Sequence, residues 1–225
     1  MKKISYLLFS VSLPFLLHSC KEVKEEYYPN GHLKSRIEYR SGKEHGKIIF
    51  YDEGYGTPNL VMTMKNGKKH GQLTRYFFNG NIETSAYYNN DIQEGVESIY
   101  DLKGNKIMES HYERGLRHGP YTSWHEKNMI REKGAFKNDK FDGEWVYYDE
   151  RGLLVGEGNF TEGTGTQTAY DQNGNIMRVT HYVNNMKNGD EIHFHSNGDT
   201  LKVVTYLDDR ISKIDNEEVS ITDEE

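Results

Sequence analysis

The chain is 225 residues long with a formal net charge of -7, and it is 35% hydrophobic with 22 Gly, 17 Tyr, 4 Pro and one Cys. The single cysteine excludes a disulfide scaffold, and a mean hydropathy of -0.87 excludes a multi-span helical membrane protein. The negative balance argues against nucleic-acid binding, while abundant Tyr and Gly with few long aliphatic runs point to short strands joined by tight turns.

Lys2 and Lys3 precede an apolar run of 14 residues from Ile4 to Leu17. The run is shorter than the ~20 residues of a spanning helix and suits the core of a secretory leader. It ends in Leu17-His18-Ser19-Cys20, which resembles the bacterial lipobox. That resemblance implies a leader over 1–19, cleavage between Ser19 and Cys20, and lipidation of Cys20 by two or three acyl chains, enough for firm membrane attachment. Residues 20–26 then read as the lipidated Cys and a charged tether. Position 21 is Lys rather than the Asp of inner-membrane retention. The expected location is therefore the bacterial cell envelope, at the outer membrane first and the cell surface second.

From Tyr27 to Leu207 the chain repeats. Gly46, Gly71, Gly95, Gly119, Gly143, Gly165 and Gly189 follow one another at steps of 25, 24, 24, 24, 22 and 24. Five residues after each stands an aromatic: Tyr51, Tyr76, Tyr100, Trp124, Tyr148, Tyr170 and Phe194. Turn signals such as Asn79-Gly80 and Asn173-Gly174 come next, followed by a second aromatic column of Tyr39, Tyr88, Tyr112, Phe136, Phe160, Tyr182 and Tyr206. Apolar residues two after the turn share parity with that second column, and β-branched residues fill the column two before the first aromatic. Helical spacing fails throughout. The fold class is all-β: an elongated single-sheet meander of about seven 24-residue hairpin repeats and about fifteen strands, each unit supported by its neighbours. Residues 208–225 carry eight acidic side chains and read as a solvated, flexible tail that also shields the last strand.

Tyr112-Glu-Arg-Gly115-Leu-Arg-His118-Gly119 and Met64-Lys-Asn-Gly67-Lys-Lys-His70-Gly71 resemble MORN repeats, in the bacterial variant form, over about 27–207. The resemblance implies a binding or scaffolding surface, antitoxin-like in some members. The pattern departs at Asp91 and Asp139, which stand where a Gly belongs, and at Thr161–Gly165, where two residues are missing.

His45, His70 and His118 share one repeat position, so about two strands separate each from the next, too far to share a Zn²⁺. They read as turn residues. His193 and His195 could offer two metal ligands but no third joins them. Asp52-Glu53 and Asp149-Glu150 fall in turns, and Gly163-Thr164-Gly165 is a tight loop without a following helix. No catalytic residue, metal site or cofactor is expected. The expected partners are a membrane, through the lipid, and another protein at a sheet face carrying Trp124, Tyr148 and Trp145. A second reading is a glycan or envelope polymer stacking on Trp124 and Tyr148.

Overall fold

The computed structural model describes residues 21–215 and 217–218. The expected leader over 1–19, its Ser19–Cys20 junction, and residues 219–225 lie outside the described residues. The described chain folds into eighteen antiparallel strands in chain order, each hydrogen-bonded to the one before it. The first nine are β1 (Lys21–Tyr27), β2 (Leu33–Arg40), β3 (Lys43–Tyr51), β4 (Pro58–Lys65), β5 (Lys68–Tyr76), β6 (Ile82–Asn89), β7 (Ile92–Tyr100), β8 (Lys106–Glu113) and β9 (Leu116–Trp124). A 3-10 turn over Glu126–Asn128 leads to β10 (Ile130–Lys137), β11 (Lys140–Tyr148), β12 (Leu154–Thr161), β13 (Thr164–Tyr170) and β14 (Ile176–Val183). The last four are β15 (Met186–Phe194), β16 (Thr200–Leu207), β17 (Arg210–Ile214) and β18 (Glu217–Glu218). This is the expected single-sheet meander.

Both ends extend further than expected. Lys21–Glu26 is no tether but most of β1, paired with β2 from Lys21↔Arg40 to Tyr27↔Leu33. Its mixed charges fit a strand whose two faces both meet water. The acidic segment likewise opens with a hairpin, because Arg210–Ile214 pairs with β16 before β18 begins.

The two long edges of the sheet are built from different turns. On one edge, Ser41-Gly42, Asn66-Gly67, Asn90-Asp91, Arg114-Gly115, Asn138-Asp139, Glu162-Gly163, Asn184-Asn185 and Asp208-Asp209 all have positive φ at both positions. These are type I′ turns, whose twist matches that of the strands. On the other edge the loop is three residues, or four at 53–56, with a β-turn such as Gly80 N–H to Phe77 O at 2.9 Å, closed by Phe77 N–H to Asn81 O at 2.9 Å. The Asn-Gly pairs at 30–31, 79–80, 173–174 and 197–198 belong to this second kind. Only their Gly takes the left-handed conformation, while the Asn30, Asn79 and Asn197 side chains accept an amide two residues on.

Just inside six of these eight type I′ turns the returning strand carries two extra residues. Ile37 pairs with Ile48, yet Tyr39 pairs with Glu44, so β3 advances four residues while β2 advances two. The same bulge recurs in β5, β7, β9, β11 and β15. The repeat glycines Gly46, Gly71, Gly95, Gly119, Gly143 and Gly189 sit in it with φ between 72° and 108°. Gly165 does not: β12 and β13 pair without a break from Gly156↔Ala169 to Thr161↔Thr164. The missing two residues of that unit are the bulge itself.

A bulge withdraws backbone groups from the ladder, and the next turn supplies partners for them. Asp91 N–H donates to Lys69 O and its Oδ1 accepts Lys69 N–H at 2.8 Å. Asp139 does the same with Arg117, whose Nε also donates to Oδ1 at 2.9 Å, and Asp209 does so with Lys187. The departures from Gly at 91 and 139 are thus clamps between consecutive hairpins. Asp139→Gly keeps the left-handed backbone and removes the acceptor. We expect it to lose about 1–3 kcal/mol, read as an earlier urea midpoint, whereas Asp139→Asn retains most of the stability; equal midpoints for Asp139→Gly and the parent contradict the clamp.

Candidate functional site

Alternation along the strands assigns each column to a face. Tyr88, Tyr112, Phe136, Phe160, Tyr182 and Tyr206 share one face, and each pairs directly with a repeat glycine: Gly71, Gly95, Gly119, Gly143, Gly165 and Gly189. The glycine serves the backbone: all of these but Gly165 take a positive φ, where a side chain would strain the chain. The cation two positions before the glycine then covers the ring. Lys69 lies 4.3 Å from the Tyr88 centroid, Arg117 3.9 Å from Phe136 and Lys187 4.6 Å from Tyr206.

This face is densest around β9 to β14. Trp145, 2% exposed, packs edge-on against Phe136 and Phe141 at 5.1 and 4.8 Å between centroids and lies 5.5 Å from Tyr121. Its ring covers Gly134, and its Nε1–H donates to Ala135 O at 3.1 Å. Phe160 carries the contacts on to Tyr182 at 5.7 Å. The expectation that Trp145 belongs to an open binding surface is corrected: it is the centre of the core. Trp145 stands in neither aromatic column of the repeat; the absence of a side chain on Gly134 is what lets the indole lie on the sheet.

The missing bulge lies beside this cluster. With the 162–163 turn drawn in, its neighbours meet across it: Asn185 Oδ1 accepts Phe141 N–H at 2.8 Å, and Asn185 Nδ2 donates to Asp139 O at 2.8 Å. Gly163 is buried beneath that contact, where a Cβ would meet Asn185.

Further along the same face Glu191 is almost fully buried, 3% exposed. It accepts hydrogen bonds from Thr180 Oγ1 at 3.0 Å and Lys187 Nζ at 2.7 Å, and pairs with His193 Nε2 at 2.9 Å. Burial alone pushes the carboxyl up, but these partners outweigh it and hold its pKa below the usual glutamate value. Nothing in the repeat column singles out this carboxylate.

Trp124 and Tyr148 occupy the opposite face from Trp145, so the three expected surface residues do not converge. Trp124 pairs with Ile130, and Tyr148 lines a shallow depression of about 310 Å³ with Asn128, Met129, Ile130 and Gly152. Both rings are half-buried. Around them Met129, Ile130, Leu153 and Leu154 are each 37–38% exposed. This apolar patch surrounds the irregular 3-10 turn, where Asn128 takes the left-handed conformation that Gly takes in the sister turns.

Two of the three repeat histidines are joined to the neighbouring turns: His45 Nδ1 lies 3.2 Å from Asn66 Oδ1 and His118 Nδ1 lies 3.2 Å from Asn138 Oδ1, while His70 Nδ1 is buried without a hydrogen-bond partner. Asp149 Oδ1 accepts the Arg151 and Leu153 amides within its turn. Among the described residues no group of three or more His, Cys, Asp or Glu converges as a metal site would need.

An open, single-layer array of bulged β-hairpins is a repeat protein of the kind that presents surfaces instead of enclosing sites. Residues 23–41, 69–90 and 164–184 match the family model described as the MORN repeat variant, so these three stretches are repeats of that type. The first match begins inside β1, in the stretch expected to be a tether. No curated protein matches the chain. Among solved structures, a chain of the TcdB2-TccC3-TEV crystal structure is similar at 12% identity and a TM-score of 0.18, over 82% of this chain and 13% of that one.

Gly134→Ala would drive a methyl into the Trp145 ring. We expect a loss of about 1–3 kcal/mol and a red-shifted tryptophan emission; an unchanged spectrum and midpoint would show the indole is not confined. The depressed Glu191 pKa makes its stabilisation present at neutral pH and lost as pH falls below the ordinary glutamate value of ~4.3. The acid-side decline of the melting temperature is therefore expected to be shallower in Glu191→Gln than in the parent.

Proposed function

We propose that this chain is a non-catalytic, lipid-anchored binding protein of the bacterial cell envelope, tethered through Cys20, whose repeat sheet docks another protein in an antitoxin- or immunity-like role. MORN repeats are binding modules in general, which supports the broad class. The observation that carries the protein-binding reading is the apolar patch of Met129, Ile130, Leu153 and Leu154 beside the half-buried Trp124 and Tyr148. Aromatic anchors beside solvent-facing aliphatics match the composition of interface hot spots. The aromatic face, in contrast, is largely occupied by the chain's own rings and cations.

The test is a pull-down with the full chain from envelope extract, compared with a Met129→Asp/Ile130→Asp variant. We expect the captured protein to bind the variant at least about tenfold more weakly, and Phe78→Asp, on a distant turn, to bind as the parent does. Equal capture by the Met129/Ile130 variant removes the patch from consideration. Capture of a polysaccharide that is lost in Trp124→Ala would favour the glycan reading instead. The anchor is tested separately: Cys20→Ser is expected to leave the membrane fraction.

A further inference from the structure

The meander is open, so it has two terminal strands, and they are finished differently. Among the described residues the C-terminal end tapers, from eight residues in β16 to five in β17 and two in β18. Shortening is one way a sheet avoids pairing with another molecule. The N-terminal end does not taper. β1 is seven residues long, every residue is exposed, and among the described residues its outer side pairs with nothing while its inner side pairs with β2. It also contains no proline and no bulge before Glu26. Such a strand is a full-length template for a further strand.

We propose that the further strand is β1 of a second copy of this chain, in an antiparallel pair with Val23 opposite Val23 of the partner.

The pairing rests on charge and parity. Side chains that face each other across two strands must lie on the same face, so in a symmetric antiparallel pair the two residue numbers add to an even total. Centring the pair on Glu22 sets two glutamates opposite each other. Centring it on Lys24 opposes two lysines and, beside them, Glu22 and Glu26. Centring it on Val23 sets Lys21 against Glu25 and Glu22 against Lys24, each twice by symmetry, with the half-exposed Val23 side chains meeting in the middle. Of these three central registers only the last opposes unlike charges throughout, on both faces. The sequence Lys-Glu-Val-Lys-Glu is thus complementary to its own reverse.

The charges involved are already arrayed along the strand. Lys21 reaches Glu38 at 3.3 Å, Glu25 reaches Arg36 at 3.7 Å and Lys24 reaches Glu22 at 3.6 Å, all at solvent-exposed sites that can share a second partner. The twofold axis stands perpendicular to the sheet, so the faces are preserved. The aromatic faces of both copies lie on one side and the Trp124 patches on the other, doubling the surface offered to a partner.

Sedimentation equilibrium of the full chain in mild detergent tests the proposal. The parent is expected to reach twice its monomer mass, which is 26.2 kDa for the uncleaved chain. Glu22→Lys alone and Lys24→Glu alone each place like charges opposite one another and are expected to weaken the dimer at least tenfold. The double variant Glu22→Lys/Lys24→Glu restores unlike pairs and is expected to return to the parent's association. Unchanged far-UV circular dichroism establishes that the fold is kept in all of them. A parent that stays monomeric overturns the proposal, and so do single variants that dimerise as well as the parent or a folded double variant that fails to recover.

Discussion

A sheet of one layer has no second layer to cover it, and every feature of this protein follows from that shortage. A two-stranded hairpin is at best marginal in water, so each unit must be completed by the next. Here the completion is specific. The bulge in a returning strand frees backbone groups, the following type I′ turn takes them up, and at positions 91, 139 and 209 an Asp side chain strengthens the join. The glycine in the bulge supplies its left-handed backbone, and the cation two residues earlier covers the ring paired with that glycine. One short stretch of sequence thus serves backbone, ring and charge at once.

This economy leaves the two faces with different work. On the aromatic face the chain supplies its own cover, most completely around Trp145, where Gly134 gives the indole a floor and Gly158 does so for Phe160. The opposite face leaves aromatics near the edge of the sheet, where Trp124 and Tyr148 border solvent-facing Met129 and Leu153. The two tryptophans have different fates, because they face opposite sides of the sheet and their neighbours across the ladder differ.

That contrast explains what could be read from sequence. The strand count per unit, the single sheet and the glycine column were legible because a fixed period needs no knowledge of three-dimensional neighbours. The core position of Trp145 was not, since it depends on which residues pair beside it, and the bulge shifts that pairing by two. The nature of the turns was half legible: Asn-Gly marked a turn correctly, yet the tightest turns include Asn90-Asp91 and Asn138-Asp139, where Asp takes a left-handed conformation in return for a bond to the hairpin before. β1 hid for a different reason, because a strand wet on both faces has no apolar alternation to announce it. The family match from residue 23 covers part of that strand.

The unit that lacks its bulge changes how the array holds together. In an ideal chain of repeats each member senses only its immediate neighbours, and unravelling from one end can stop at any joint. Across Gly163 the hairpins on either side touch directly, through Asn185 with Phe141 and Asp139. Three successive units are thereby locked into one cooperative block, beside the densest ring packing in the molecule. Fraying that begins at either terminus meets a stop there, and a protein with no globular interior acquires a keystone.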